Sequence, residues 1–585
     1  MFYLFHVFRS FIPLRNPIGF GASDFVEFFV AAILVLLVLA RNHMARLARS
    51  FAEKTVWCML ALGGLTVVLR LALLPQAGAP IQSSADDSSY LLLADTLSHF
   101  RLANPTHPFY RFFESNFVLQ QPSYSSIFPL GQGIALELGR AIFGHPWAGV
   151  LLSEAALCAL CYWMLRGWIA APWALAGGFL AVLQLGPLTY WMNSYWGGAV
   201  SGIAGCLVFG ALGRLLAVPK LAGRRPAPLG SRLRPPVGPP GWQVGDLPHR
   251  AVSRNAILLG VGLGLELLTR PYECVFLAAI VGLFLIFNWR RVALAAPLVV
   301  AATLPCLSLT LAQNRAVTGS WTTLPYMASR YQYGVPTSFT MRPVPEPQRE
   351  LTPEQQRGYD VQSEVHDQES ARSLWERLLD RAGYIRFFLF PALLVGLSVF
   401  LVALWRDRRL WWPVAAILLL LAGSVFYPYF YPHYIAAAAC AFMLVAVVAL
   451  KRMPRMAANA ILFLAVAHFA FWYGVHAYGN QDFLDAFGPF ELFDFVNHGD
   501  PEGRRPILKQ LQQAPGNQLV FVRYAPFHPL REWISNAADI DRSKVVWALD
   551  LGPEEDRKLL DYYPERTAWL AEPDARPPRL LPYSK

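Results

Sequence analysis

The sequence predicts a polytopic α-helical membrane protein of about twelve transmembrane helices, followed by a small C-terminal extracytoplasmic α/β domain. Three observations lead there. Of the 585 residues, 55% are hydrophobic and only 15% charged, where a globular chain carries about a quarter charged. The apolar residues gather into runs close to the roughly 20 needed to cross a hydrocarbon core of about 30 Å. Beyond residue 479 the pattern changes: NQLVFVRY (517–524), SKVVWAL (543–549) and RTAWL (566–570) read as short buried strands, with a helical stretch at 552–562.

The N-terminal MFYLFHVFRSFIPLRNPIGF lacks the basic leader, compact apolar core and small-residue cleavage site of a secretory signal, and reads as an interfacial lead-in. The expected spans are 24–40, 55–74, 147–165, 171–189, 197–217, 255–269, 273–288, 293–312, 384–405, 411–429, 434–450 and 457–478. Residues 131–143 are too few to cross and read as a re-entrant or interfacial helix. Polar loops at 76–130 and 313–383 interrupt the spans, and the second should hold helix, as at 370–380. A Pro- and Arg-rich stretch at 219–254 reads as a disordered linker. Residues 1–478 thus form a multi-span domain and 479–585 a separate one.

The formal net charge of +11 sits largely in short segments between spans: Arg41, Arg46, Arg49 and Lys54, the 219–254 linker, and the turns at 288–291, 406–409 and 451–455. The positive-inside rule puts these segments in the cytoplasm. Both termini and the loops 76–130 and 313–383 then lie outside. Topology accounts for the basic balance, which argues against a nucleic-acid partner. The seven cysteines, at 58, 158, 161, 206, 274, 306 and 440, all fall in or beside apolar runs. A disulfide framework or zinc site needs paired cysteines in polar segments, so Cys158-x-x-Cys161 reads as two small buried side chains.

The first long polar interruption, 83–133, opens with adjacent carboxylates, Asp86 and Asp87. Other ionisable residues of the spans, Glu154, Glu266, Arg270 and His433, lie towards the same predicted outer ends, as does the aromatic turn YWMNSYWGG (190–198). An enzyme at that face has no ready nucleotide-activated substrate. A lipid-borne donor phosphate answers this, given a carboxylate to take a proton from the acceptor and cations to hold the leaving phosphate. Asp86 and Asp87 are the candidate bases. Arg270, Arg330 and His433 are candidate phosphate groups, and Tyr195, Trp196, Tyr272, Glu273, Tyr331 and Tyr333 candidates for a sugar or acceptor pocket. Each has a plainer alternative: the acids can cap a helix at 90–100, Arg270 can snorkel to the interface, and the aromatic turns can be membrane belts.

Two runs carry a family likeness: Ala85-Asp86-Asp87-Ser88-Ser89-Tyr90, continuing through Leu91 to Asp95, and the stretch from Gln120-Gln121-Pro122-Ser123-Tyr124 to Pro129-Leu130-Gly131-Gln132-Gly133. The chain resembles the GT-C superfamily of integral-membrane glycosyltransferases, which includes protein O-mannosyltransferases, aminoarabinose transferases of lipid A and bacterial core-oligosaccharide transferases. That resemblance implies a GT-C-like fold and transfer of a hexosyl or pentosyl unit from a polyprenyl-phosphate sugar to an extracytoplasmic glycan, lipid or protein, in a bacterial inner membrane. It also implies that Asp86 or Asp87 is the general base. Many relatives show Asp-Glu where this chain has Asp-Asp, which leaves both carboxylates in contention. No cofactor is indicated. Asp86, Asp87 and Asp95 form no recognisable metal cage, although some members of the superfamily use a divalent metal. Two alternatives stand beside this reading: a transporter or flippase of a lipid-linked glycan, and a non-catalytic envelope polysaccharide assembly protein.

Overall fold

The structure is a computed structural model that describes residues 48–217, 246–292, 295–478, 500, 503–528 and 531–583. The lead-in, the first expected span (24–40) and most of the linker lie outside these residues, as does 479–499. Among the described residues seven helices are long and apolar enough to cross a membrane: Thr55–Ala72, Pro146–Leu165, Ala199–Ala217, Arg250–Thr269, Ala295–Thr318, Pro432–Arg452 and Arg455–Tyr478. Ala171–Leu185, Pro271–Phe287 and Leu397–Arg406 are apolar but shorter. The expected span at 384–405 is instead broken into Ile385–Phe388, Pro391–Leu394 and Leu397–Arg406. Pro391 explains the first break, because proline disfavours helical backbone in the residue before it and supplies no N–H.

Residues 130–143 do form a helix, Leu130–Phe143, which Gly144 ends in the left-handed conformation (φ 77°). The next helix, Pro146–Leu165, starts with proline in its first turn, and the His145 ring accepts a bond from the Trp147 N–H. The two helices cross at glycine: a Cβ on Gly139 would stand 1.9 Å from the Gly149 nitrogen, so neither position tolerates a side chain. In the long loop 313–383 the helices are Pro325–Tyr333, Pro353–Ala371 and Leu374–Gly383. Ser373 caps the last of these in a capping box with Glu376, so the helix starts four residues later than the apolar pattern suggested.

The loops at 76–130, 186–198, 319–352 and 425–433 meet at one end of the bundle. Arg70, fully buried near the end of Thr55–Ala72, anchors two of them. It donates to Asn193 Oδ1 at 2.8 Å and to the carbonyls of Ala77 and Gly78 at 2.9 Å, and its guanidinium lies 4.7 Å from the Trp147 ring. The basic residues Arg166 and Arg214 mark the opposite end, bonded to Glu53 and to the Trp163 carbonyl.

The C-terminal unit is a four-stranded sheet in the order β4-β3-β5-β6, made of β3 (Gln518–Val522), β4 (Val545–Leu549), β5 (Thr567–Glu572) and β6 (Arg579–Pro582). The first three strands run parallel and β6 pairs antiparallel with β5. The small ladder β1 (Val118–Leu119) with β2 (Ser125–Ser126) belongs to the 76–130 loop. Every residue of β3 is buried, as expected where both faces of a parallel sheet are covered. One cover comes from far away in sequence: Leu92, Phe112 and Phe113 of the 76–130 loop share a core with Leu519, Phe521 and Val546. Polar contacts line the same seam, with Glu532 N–H on the Ser83 carbonyl (3.1 Å), Ala538 N–H on Asp95 Oδ2 (2.7 Å) and the Tyr124 hydroxyl on the Asn536 carbonyl (3.1 Å).

Candidate active site

The two adjacent acids have different surroundings. Ser84 is extended backbone and caps the helix Ala85–Ser98, its Oγ accepting the Asp87 N–H at 3.1 Å. Asp87 answers with Oδ2, which accepts the N–H groups of Ser83 and Ser84, both at 3.3 Å. This is a capping box, with two orphan helix donors satisfied reciprocally. Its other oxygen, Oδ1, accepts the Tyr195 N–H at 2.9 Å and so ties the helix start to the 190–198 turn. Burial pushes the Asp87 carboxyl pKa up, and the bonds from the Tyr195, Ser84 and Ser83 amides oppose that shift.

One residue back, and so about 100° around the helix, Asp86 is half-buried and turned elsewhere. Its pKa is pushed up to about 7 by burial and by the neighbouring Asp87 charge, with Arg270 pulling the other way. Arg270 precedes Pro271, at the break between the helices Asp246–Thr269 and Pro271–Phe287. Its guanidinium carbon lies 5.1 Å from the centre of the Tyr434 ring. Within its electrostatic reach are also Tyr90, Glu273, Tyr326, Tyr427 and His433. Tyr90 stacks on Phe128 at 4.3 Å, and Phe128 meets Tyr326 edge-on at 6.0 Å.

Among the described residues, the side chains of Asp86, Tyr90, Arg270, Glu273, Tyr326, Tyr427 and Tyr434 make no hydrogen bond to another residue, although all are buried or half-buried. Interior polar groups are nearly always paired within the protein or with water. Unspent donors and acceptors gathered at one point are the signature of a place for a polar guest.

The remaining sequence candidates divide into neighbours of this cluster and residues engaged elsewhere. The backbone N–H of His433 donates to the Tyr190 oxygen at 3.1 Å, and that hydroxyl lies 2.6 Å from His433 Nδ1 in a second hydrogen bond. Trp196 and Tyr431 pack on that ring at 4.9 and 5.6 Å. Tyr195 supplies its amide to Asp87, while its hydroxyl bonds the Pro80 carbonyl. Tyr272 spends its hydroxyl on the Gly423 carbonyl at 2.8 Å. Arg330 donates to the Pro336 and Thr337 carbonyls and reaches the cluster only through its charge on Tyr427. Tyr331 is 67% exposed. Tyr333 is buried beside Arg349 and Glu114, a second polar cluster. Four members of the first cluster, Tyr90, Tyr326, Tyr427 and Tyr434, were not singled out from sequence. Tyr90 stands in the acidic motif and Tyr434 follows His433, the only signals that could have found them. No group of three His, Cys, Asp or Glu side chains among the described residues is placed to hold a metal ion.

Comparison with protein-family models and with curated proteins finds no match. Among solved structures, the chain is similar to ArnT from Cupriavidus metallidurans in the apo state (14% identity, 87% of this chain and 92% of that one, TM-score 0.45). It is also similar to the same protein bound to undecaprenyl phosphate (12% identity, 90% and 93%, TM-score 0.46). A third is the oligosaccharyltransferase AglB from Archaeoglobus fulgidus in complex with an inhibitory peptide and a dolichol-phosphate (11% identity, 88% and 69%, TM-score 0.44).

Proposed function

We propose that this chain is an inverting membrane glycosyltransferase of the GT-C type, moving a sugar from a polyprenyl-phosphate donor to an acceptor hydroxyl, with Asp86 as the base. The observation that carries the reading is the cluster of polar side chains around Arg270 that bond no other residue among those described: one cation, the carboxyls of Asp86 and Glu273, and four tyrosines. In the proposed step Asp86 takes the proton from the acceptor hydroxyl as its oxygen bonds to the anomeric carbon. The bond from that carbon to the phosphate oxygen breaks, and the phosphate leaves against Arg270. A carboxyl with a pKa near 7 suits this work, since a base is most effective when its pKa lies near the working pH. The tyrosines offer hydroxyls and ring faces to the sugar, and the His433 ring lies close by. Asp87 has the separate duty of holding the helix start, and so Asp86, in place.

The test is transfer from a polyprenyl-phosphate sugar by purified protein in lipid nanodiscs, comparing wild type with Asp86→Asn and Asp87→Asn. The reading requires that Asp86→Asn stays folded and loses transfer. A fully active Asp86→Asn protein would sink the base assignment, and a wild type that moves intact lipid-linked glycan across the bilayer without transferring sugar would sink the enzyme reading.

A further inference from the structure

A second polar site lies between the 76–130 loop and the helix Pro325–Tyr333. It is a cleft of about 480 Å³, lined by Thr106, Gln121, Pro122, Gln332 and Arg349. Its floor is cross-braced. Arg349 donates to Gln332 Oε1 at 3.2 Å and to the Tyr333 hydroxyl at 3.1 Å, Gln332 donates to the Gln121 carbonyl at 2.7 Å, and the Thr106 hydroxyl donates to the Gln120 carbonyl at 2.8 Å. Walls held by such bonds keep their shape without a ligand.

The charges in this cleft cancel. Beneath Arg349 the fully buried carboxylate of Glu114 pairs with it at 2.6 Å and with Arg111 at 3.5 Å, and Arg111 also reaches Glu350 at 3.8 Å. Two guanidinium groups thus meet two carboxylates, leaving no net charge for an anionic group. What faces the opening is neutral hydrogen-bonding capacity: the exposed Gln121 amide, which bonds no other residue among those described, and the Thr106 oxygen. Pro122 is the one apolar residue in the lining. Neutral amides and hydroxyls on a rigid floor complement a chain of sugar hydroxyls.

The cleft also shares an element with the active-site cluster. Tyr326 belongs to that cluster and Gln332 to the cleft, and the two are six residues apart on one helix, about 9 Å along its axis. We propose that the cleft binds a neutral oligosaccharide, the acceptor chain of the transfer, so that it lies beside the reacting centre. The part that names the acceptor rests on the function proposed above, whereas the binding itself does not.

The experiment is binding of the full-length protein in nanodiscs to an array of neutral and uronate-bearing oligosaccharides, with unstructured peptides as controls, for wild type, Gln121→Ala, Gln332→Ala and Asp86→Asn. The expected result is binding of a neutral oligosaccharide that weakens about tenfold in Gln121→Ala, the loss of one good hydrogen bond. It weakens also in Gln332→Ala, which removes the brace between the Gln121 carbonyl and Arg349, and persists in Asp86→Asn. Gln121 is exposed, so its variant reads the contact rather than the fold. Binding to no oligosaccharide, preference for the uronates or for peptide, or neutral binding indifferent to both glutamines overturns the proposal. If neutral binding depends on the glutamines while Asp86→Asn still transfers sugar, the cleft stands and the function above falls. If transfer needs Asp86 but the glutamines do not matter, the reverse holds.

Discussion

The seam between the 76–130 loop and the C-terminal sheet and the cluster around Arg270 are both rich in buried polar groups, yet they use them in opposite ways. At the seam, Glu532 accepts bonds from the Tyr524 hydroxyl and from the N–H groups of Ile534 and Asn116, at 3.1, 2.9 and 3.4 Å. Arg504 donates to the carbonyls of Glu532 and Trp533, both at 3.0 Å. His107 pairs with Asp541 at 3.1 Å. Around Arg270 the same kinds of group make no such bonds among the described residues. A polar group that spends its hydrogen bonds on the protein fixes position. One that keeps them is free to meet a substrate.

The Asp86 and Asp87 pair sets this contrast in two neighbouring residues, and substitution separates them. Asp86→Asn should cut turnover by about 10²–10⁴-fold, the usual worth of a general base, measured as sugar transfer from lipid donor. It should not destabilise the protein. The folded pKa of about 7 lies above the unfolded value, so the stability contributed by the protonated carboxyl is full at low pH and lost as pH rises through 7. Above pH 7 the asparagine variant should therefore melt at or above the wild-type temperature. A marked fall in its melting temperature would show Asp86 to be structural and erase the contrast.

Arg270→Gln should lower turnover by about 10²–10³-fold, the cost of removing one donor aimed at developing charge, with a rise in the donor KM. Wild-type rate should climb about tenfold per pH unit below 7 and level off above it, because Asp86 acts only when deprotonated; a rate that falls as pH rises from 5 to 7 contradicts the base role. Asp87→Asn should act mainly on stability, losing about 1 to 2 kcal/mol as a broken cap does, read by thermal unfolding, with activity falling only in step with the folded fraction. Smallest of all, Glu532→Gln should cost about 1 kcal/mol at the seam and leave the KM for the donor unchanged.

Much of the scaffold could be read from sequence because its signals are local. Apolar run lengths marked the helices, and the acids Asp86 and Asp87 pointed to a helix start, though at residue 90 where the helix in fact begins at Ala85. The strands β3 and β4 fall inside the expected runs 517–524 and 543–549, while β5 overlaps 566–570 and extends past it. Asp86, Arg270 and Glu273 were legible as polar residues at the ends of apolar runs. The tyrosines were not, since an aromatic at a span end has the same local pattern whether it faces lipid, as membrane belts do, or a cavity. Arg330 illustrates the complementary limit: its cationic nature is plain in the sequence, but its engagement with the Pro336 and Thr337 carbonyls depends on how the chain turns after the helix. The seam was invisible for the same reason, because no local signal pairs Asp95 with Ala538.

That pairing sets a schedule. The helix bearing Asp86 is clasped at Ser83 by Glu532 and at Asp95 by Ala538, partners more than 400 residues further along the chain. At roughly 5 to 20 residues per second of synthesis, the 443 residues from Asp95 to Ala538 take about 20 to 90 seconds to emerge. For that interval the acidic loop has been made but its clasp has not. The helix bearing Asp86 is thus clasped at both ends only once the chain has been made as far as residue 538.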